Sequence, residues 1–282
     1  MTQSRWLPYA LIAPAVIFLL ALFVAPLVQT ILLSFQDGTS LSLANYQRMA
    51  NDLNFIPALR NTFALVIVII PVQLALAIAM GMMVQKLTRG RELVMWVWTI
   101  PLAVSDLAAG LVWLAILQNS GYLNTALYEL GLLSGPTSWL NSETPLTLFA
   151  GIAIAETWRA TAIVLIILVA GMQLIPKEYA EAADIFGATP WVKLRKITLP
   201  LLKPSIQSAL ILRTVLAFEV FAVVYALGGR NFPVIVGEAF VWQHENQNYG
   251  VAAAYAVFVM AISLVATVVY LVALREKPEA KA

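Results

Sequence analysis

Five charged residues interrupt long apolar stretches of the sequence: Asp106, Glu156, Arg159, Arg213 and Glu219. An ionised side chain in hydrocarbon is costly, so each needs a partner or a wet cavity. Counted from one membrane face at ~1.5 Å per helical residue, Asp106 lies roughly 20 Å deep, and Arg159 and Glu219 about 21 Å. These three could share one layer. Arg213 is shallower, at roughly 12–14 Å, and Glu156 lies one turn beyond Arg159 on the same helix face. Trp113, Trp158, Phe218, Phe221 and Tyr225 accompany the charges. Flat rings beside carboxylates and amides suit a neutral polyhydroxylated ligand, with faces for its C–H groups and partners for its hydroxyls. The same residues also admit a structural reading. Arg159–Glu219 and Glu156–Arg213 could be ion pairs that tie helices together, and the rings could simply pack against helices or lipid. Three acids against two bases leave no basic excess, which disfavours a strongly anionic cargo.

Other chemistries lack their residues. The absence of cysteine removes disulfides, thiolate metal sites and cysteine nucleophiles together. A lone histidine, His244, beside Glu245 reads as part of a solvated surface pair, and no metal site is expected. No G-x-x-x-x-G-K-[ST] phosphate loop and no H-E-x-x-H occur, so neither ATP hydrolysis nor zinc-dependent proteolysis can be assigned to this chain. A net charge of +2 is too small to argue for nucleic acid.

The elements that must position these residues are dictated by composition. Of the 282 residues 61% are hydrophobic and 11% charged, whereas a soluble domain carries about 25% charged residues. Membrane lipid is the solvent this composition requires. Six stretches are long enough for a core of roughly 30 Å, near 7–35, 61–85, 93–118, 146–174, 205–228 and 250–274. Each is read as a helix, because lipid offers the backbone no hydrogen bonds. The expectation is one all-α transmembrane domain over residues 1–282. The first stretch is too long for a cleaved signal peptide, with kinks expected at Pro14 and Pro26.

Orientation is set by the basic residues. Twelve of the seventeen fall on the side of the N-terminus: Arg5, Lys86, Arg89, Arg91, Lys177, Lys193, Arg195, Lys196, Lys203, Arg275, Lys277 and Lys281. Only Arg48, Arg60 and Arg230 fall opposite. Both termini are therefore predicted to be cytoplasmic, with external loops at 36–60, 119–145 and 229–249.

The loop 175–204, IPKEYAEAADIFGATPWVKLRKITLPLLKP, is more than a connection. Lys177–Phe186 comes after Pro176, has a helical composition and stops at Gly187, as helices do. Tyr179, Ala182, Ala183 and Phe186 recur at helical spacing and form an apolar face, with Glu178, Glu181 and Asp184 on or beside the other. Those carboxylates argue against a helix lying on anionic headgroups and for a protein partner. Pro190–Ile197 can form a second short helix, and Leu199-Pro200 is expected to break the chain before the fifth span.

Glu181-Ala182-Ala183, then Gly187, Ile197 and Leu199-Pro200, resembles the EAA motif of permease subunits in ABC importers. The wording IPKE and ITLPLLKP around it, the opening LIAPAVIFLLALFVAPLVQTILLSF, and later LANY, ALRNTFALV and AETWRATAIVLIILVAG are similar to the carbohydrate-uptake branch, the relatives of maltose and trehalose permeases. The resemblance implies a type I importer permease in the cytoplasmic membrane. Its cargo would be a di- or oligosaccharide delivered by an external binding protein. The coupling helix would comprise Tyr179, Glu181, Ala182, Ala183, Asp184 and Phe186, with Gly187 as its turn, and would fit a cleft on a cytoplasmic ATPase. The ATPase dimer would hold ATP and Mg, leaving this chain without a cofactor. A second permease subunit is implied, and the long first span with loop 36–60 points to a non-identical one. Glycerol phosphate or a polyol is the alternative cargo. An ion-coupled carrier using Asp106, Glu156 and Glu219 as relays would leave the loop unexplained.

Overall fold

The apolar run that opens the chain is helical throughout but not uniformly α-helical. In the computed structural model, which describes residues 7–274, α1 (Leu7–Leu19) widens into a π-helical turn at Leu20–Val24 and continues as α2 (Ala25–Phe35). Pro26 supplies the reason. It has no N–H for the carbonyl one α-turn back, and its ring crowds that carbonyl. The wider turn closes instead through Ala25 N–H to Leu20 O. Pro14 is accommodated inside α1. Four of the basic residues used for orientation, Arg5, Arg275, Lys277 and Lys281, lie outside the described residues.

The chain divides into two compact units. The first takes the chain up to Phe55 together with Ile235–Ala261. Here α2 leads into a two-residue hairpin, β1 (Gln36–Asp37) with β2 (Ser40–Leu41), and then α3 (Ala44–Ala50). Asn45 of the LANY segment donates from Nδ2 to the carbonyls of Ser34 (3.2 Å) and Gln36 (2.8 Å), groups a helix C-terminus leaves without partners. Asp52 accepts from Trp242 Nε1 at 2.6 Å and from the Tyr255 hydroxyl at 2.9 Å. The expected external loop 229–249 is itself largely helical, as α14 (Ile235–His244), and Glu238 within it is buried. His244 bonds to the Phe240 carbonyl and stacks on its ring, so it is not simply half of a solvated pair with Glu245. The unit closes on the first half of α15 (Tyr249–Ala273).

The second unit takes Ile56–Val234 and the chain from Ile262 onward. Its elements are α4 (Phe55–Lys86), α5 (Arg91–Thr99), α6 (Asp106–Leu117), α7 (Tyr122–Glu129) and α8 (Pro145–Gln173), then a segment of short helices, and α12 (Lys203–Phe218) and α13 (Ala222–Gly228). In the most apolar window of α8, 61% of residues are buried, against 33% for α4, so α8 is the axis around which this unit packs. Leu148, Ile152 and Ala155 of α8 meet Leu65 of α4, Ala109 of α6 and Val223 and Val224 of α13 in one apolar cluster. Gly110 lets α6 and α13 touch. A Cβ there would stand 2.6 Å from the Ala226 Cβ.

Two expected spans are corrected. The stretch 93–118 is a broken pair: after α5 a 3-10 turn (Ile100–Ala103) leads to an extended Val104–Ser105, and the two helical arms bend by 98°. Ser105 caps the new helix by accepting from Ala108 N–H, which makes Asp106 the first residue of α6. The stretch 205–228 is also discontinuous. α12 stops at Phe218, and Phe221 has left helical geometry, with φ −145° and ψ −61°. Among the described residues, four helices are long and apolar enough to cross a membrane, or up to six when each bent pair counts as one span.

Candidate functional site

The segment of short helices after α8 begins with α9 (Lys177–Ile185). Its end is a Schellman motif: Ala188 N–H bonds to Ala183 O and Gly187 N–H to Asp184 O, each at 2.9 Å, around Gly187 at φ +69°. A side chain at that backbone angle is strained, which is why the stop signal is glycine. Thr189 then accepts from Val192 N–H and caps α10 (Pro190–Lys193). Lys193 reaches back to Asp184 and staples the two helices together. Of α9 only Ala183 is buried; Tyr179, Glu181, Ala182 and Phe186 remain exposed, Phe186 at 88%. Ala183 thus leaves the expected apolar face and anchors the helix from behind, while Ile185, at 84% exposure, joins the free surface.

After α10 a second π-helical turn, Leu194–Thr198, leads into α11 (Leu199–Leu201). It closes through Leu199 N–H to Leu194 O, immediately before Pro200, as the first such turn does before Pro26. Leu199-Pro200 therefore does not break the helix as expected. The chain turns at Leu202, with a 70° bend into α12.

The buried charges converge on Glu156, which is 0% exposed. Its Oε1 accepts from Arg159 Nη2 at 3.0 Å and its Oε2 from Arg213 Nη2 at 2.9 Å. Arg213 also donates from Nε to Gln73 Oε1 at 2.7 Å, and Gln73 Nε2 donates to the Glu156 backbone carbonyl at 3.0 Å. Outward, Arg159 Nη1 meets Asp106 Oδ1 at 2.7 Å. Acid and base alternate along the chain Asp106–Arg159–Glu156–Arg213, so the charges cancel while side-chain exposure falls from 51% at Asp106 to 13% at Arg159. The cluster joins α4, α6, α8 and α12. Arg159 Nε and Arg213 Nη1 are buried without a hydrogen bond.

Three expected path residues stand elsewhere. Glu219 is exposed and has no ion pair among the described residues, because α12 ends one residue before it. The expected Arg159–Glu219 pair is replaced by Arg159–Asp106, made possible by the break that brings the start of α6 to α8. Phe218 is buried edge-on against Phe63, centroids 5.3 Å apart, and cannot stack on a ligand. Glu156 itself is fully buried. Of the remaining rings, Trp113 and Trp158 meet edge-to-face at 6.2 Å, and Phe221 and Tyr225 lie 5.4 Å apart. Trp158 lines an apolar recess of about 320 Å³ with Trp98 and Pro101, and Tyr225 is half exposed. Gln73 is the member of the cluster that sequence reasoning missed. A lone amide two residues after Pro71 in an otherwise apolar run was the available signal.

The family described as "Binding-protein-dependent transport system inner membrane component" matches residues 73–275. The trehalose/maltose transport system permease protein MalF of Thermococcus litoralis is 30% identical over 276 residues, covering 94% of this chain and 92% of that protein. The arabinooligosaccharides transport system permease protein AraP of Bacillus subtilis is 32% identical over 280 residues, covering 94% and 87% respectively. Among solved structures, a bacterial alginate ABC transporter in complex with an alginate pentasaccharide-bound periplasmic protein contains a chain that superposes with TM-score 0.84, covering 96% of this chain and 94% of that one. At 22% identity that likeness is one of fold.

Proposed function

The chain belongs to the binding-protein-dependent transport system inner membrane component family, and from that premise we propose that it forms one side of the path by which an ATP-driven importer takes up a sugar. It is a multi-pass membrane protein with the type I importer permease fold, and a transport subunit rather than an enzyme. A di- or oligosaccharide is the cargo most consistent with its relatives, and the charge-neutral cluster around Glu156 favours an uncharged one. The sugar arrives on an external binding protein. ATP and Mg are bound by two cytoplasmic ATPase subunits, and a second, non-identical permease completes the path. Both termini face the cytoplasm.

The observation that carries this reading is α9. It is a helix closed at its C-terminus by the Gly187 turn, and it leaves Tyr179, Ile185 and Phe186 exposed beside Glu181. An apolar patch with a carboxylate at its edge is a docking surface for a folded partner with a basic rim. The test is to isolate the tagged chain from its native membrane and to reconstitute it in liposomes with the proteins that co-purify. Recovery of an ATPase and a second permease, with oligosaccharide uptake that requires ATP and the external binding protein, is expected. Uptake by the lone chain without ATP rejects the proposal.

A further inference from the structure

Behind α9, on the side away from its exposed patch, lies a cavity of about 550 Å³ that the transport reading does not use. Its polar lining includes Gln85 at the end of α4, Arg91 at the start of α5, Gln173 at the end of α8, Lys177 at the start of α9, and Lys193 and Thr198 beyond. No carboxylate is among the residues that line it. Lys193 is neutralised by Asp184. Arg91 and Lys177 have no ion-pair partner among the described residues, and Arg91 Nη2 is buried without a hydrogen bond. The first turns of α5 and α9, nine residues each, both open here, and neither has a side-chain cap. Each first turn carries a carboxylate that offsets its helix dipole, Glu92 and Glu178, but neither lines the cavity, so the charge facing it is that of Arg91 and Lys177. Leu87, Met172 and Ile175 supply apolar wall.

We propose that this cavity is a binding site for a phosphate-type oxyanion, held by Arg91 and Lys177, which braces α9 against the ends of α4 and α8. The chemistry is shared by an anionic phospholipid headgroup and by free phosphate. Cationic pockets between helices at the cytoplasmic face attract such headgroups, and the assignment of that face rests on the orientation proposed above. The binding itself does not, so it can be measured whether or not transport is found.

The test uses the full-length chain purified in neutral detergent. Its thermal unfolding is monitored while inorganic phosphate is titrated against chloride at matched ionic strength. Retention of phosphatidylglycerol over phosphatidylcholine is measured by native mass spectrometry. Stabilisation by phosphate identifies a free-anion site, and retention of phosphatidylglycerol without a phosphate response identifies a headgroup site. Either supports the proposal if Arg91→Gln weakens binding about tenfold, the scale of one lost charge-assisted hydrogen bond. Lys196→Gln, an exposed lysine outside the cavity, is expected to leave binding unchanged. Lys177→Gln serves in the same role should Arg91→Gln not fold. No response to either probe, or equal weakening by Lys196→Gln, overturns the site. So does loss of phosphate binding when the ATPase joins, because a partner carboxylate would then be the occupant.

Discussion

Glu156 holds two buried guanidinium groups at once, and its neighbours do not share that burden equally. Removing one partner of a buried pair leaves an uncompensated charge and typically costs about 3–5 kcal/mol. Glu156→Leu leaves buried Arg213 with only the neutral Gln73 and Arg159 with only the half-exposed Asp106, and is expected to show the largest loss of thermal stability in detergent. Arg213→Met leaves Glu156 paired with Arg159, and is expected to be milder. Asp106→Asn touches a half-exposed pair and is expected to cost about 1 kcal/mol or less. A different order, measured as unfolding temperatures of the three variants, would refute this assignment of the cluster. At Gly187 the backbone is left-handed, so Gly187→Asp strains the turn by roughly 1–2 kcal/mol. Together with Glu181→Lys, it is expected to preserve membrane insertion and abolish retention of the ATPase. Normal ATP-driven uptake by both would sink the coupling role of α9. The EAA motif made these residues legible, because a helix stop and its cap are local in sequence. The partners of Arg159 were not legible, because depth counting treats every span as an unbroken helix.

Among the elements, the interruptions matter as much as the helices. Both π-helical turns sit just before an X-Pro step, Ala25-Pro26 and Leu199-Pro200, and in each the wider ring lets the helix pass a residue that cannot donate. Proline alone suggested a kink, and the neighbouring hydrogen bonds converted it into a continuous helix. The break at Val104–Ser105 has the opposite character: Ser105 starts a new helix and delivers Asp106 to Arg159. The contact of α6 with α13 depends on Gly110 having no side chain. Gly110→Leu is expected to destabilise the protein by about 1–3 kcal/mol, the usual range for overpacking. Gly135→Leu, where an added Cβ meets nothing within 4 Å, is expected to unfold at the wild-type temperature. Equal unfolding temperatures for both variants would show that the close approach is unimportant.

For the molecule as a whole, the absence of cysteine makes orientation directly measurable. Ser142→Cys, exposed in loop 119–145, is expected to react with an impermeant maleimide in intact cells. Lys196→Cys is expected to react only in inverted vesicles. Reversed labelling would overturn the cytoplasmic placement of α9 and both termini. The amino-acid sequence by itself determined the membrane environment, the number of apolar stretches and the place of the helix that ends at Gly187. Hydrophobicity, charge asymmetry and capping signals all act over a few residues, so they can be read along the chain. Tertiary structure alone decided which charges meet, that Gln73 joins them, that Phe218 is buried, and that two spans are broken. Those outcomes depend on α4, α6, α8 and α12 arriving at one place. The geometry of that meeting is set by packing between residues as distant as Gln73 and Arg213, which no local pattern encodes.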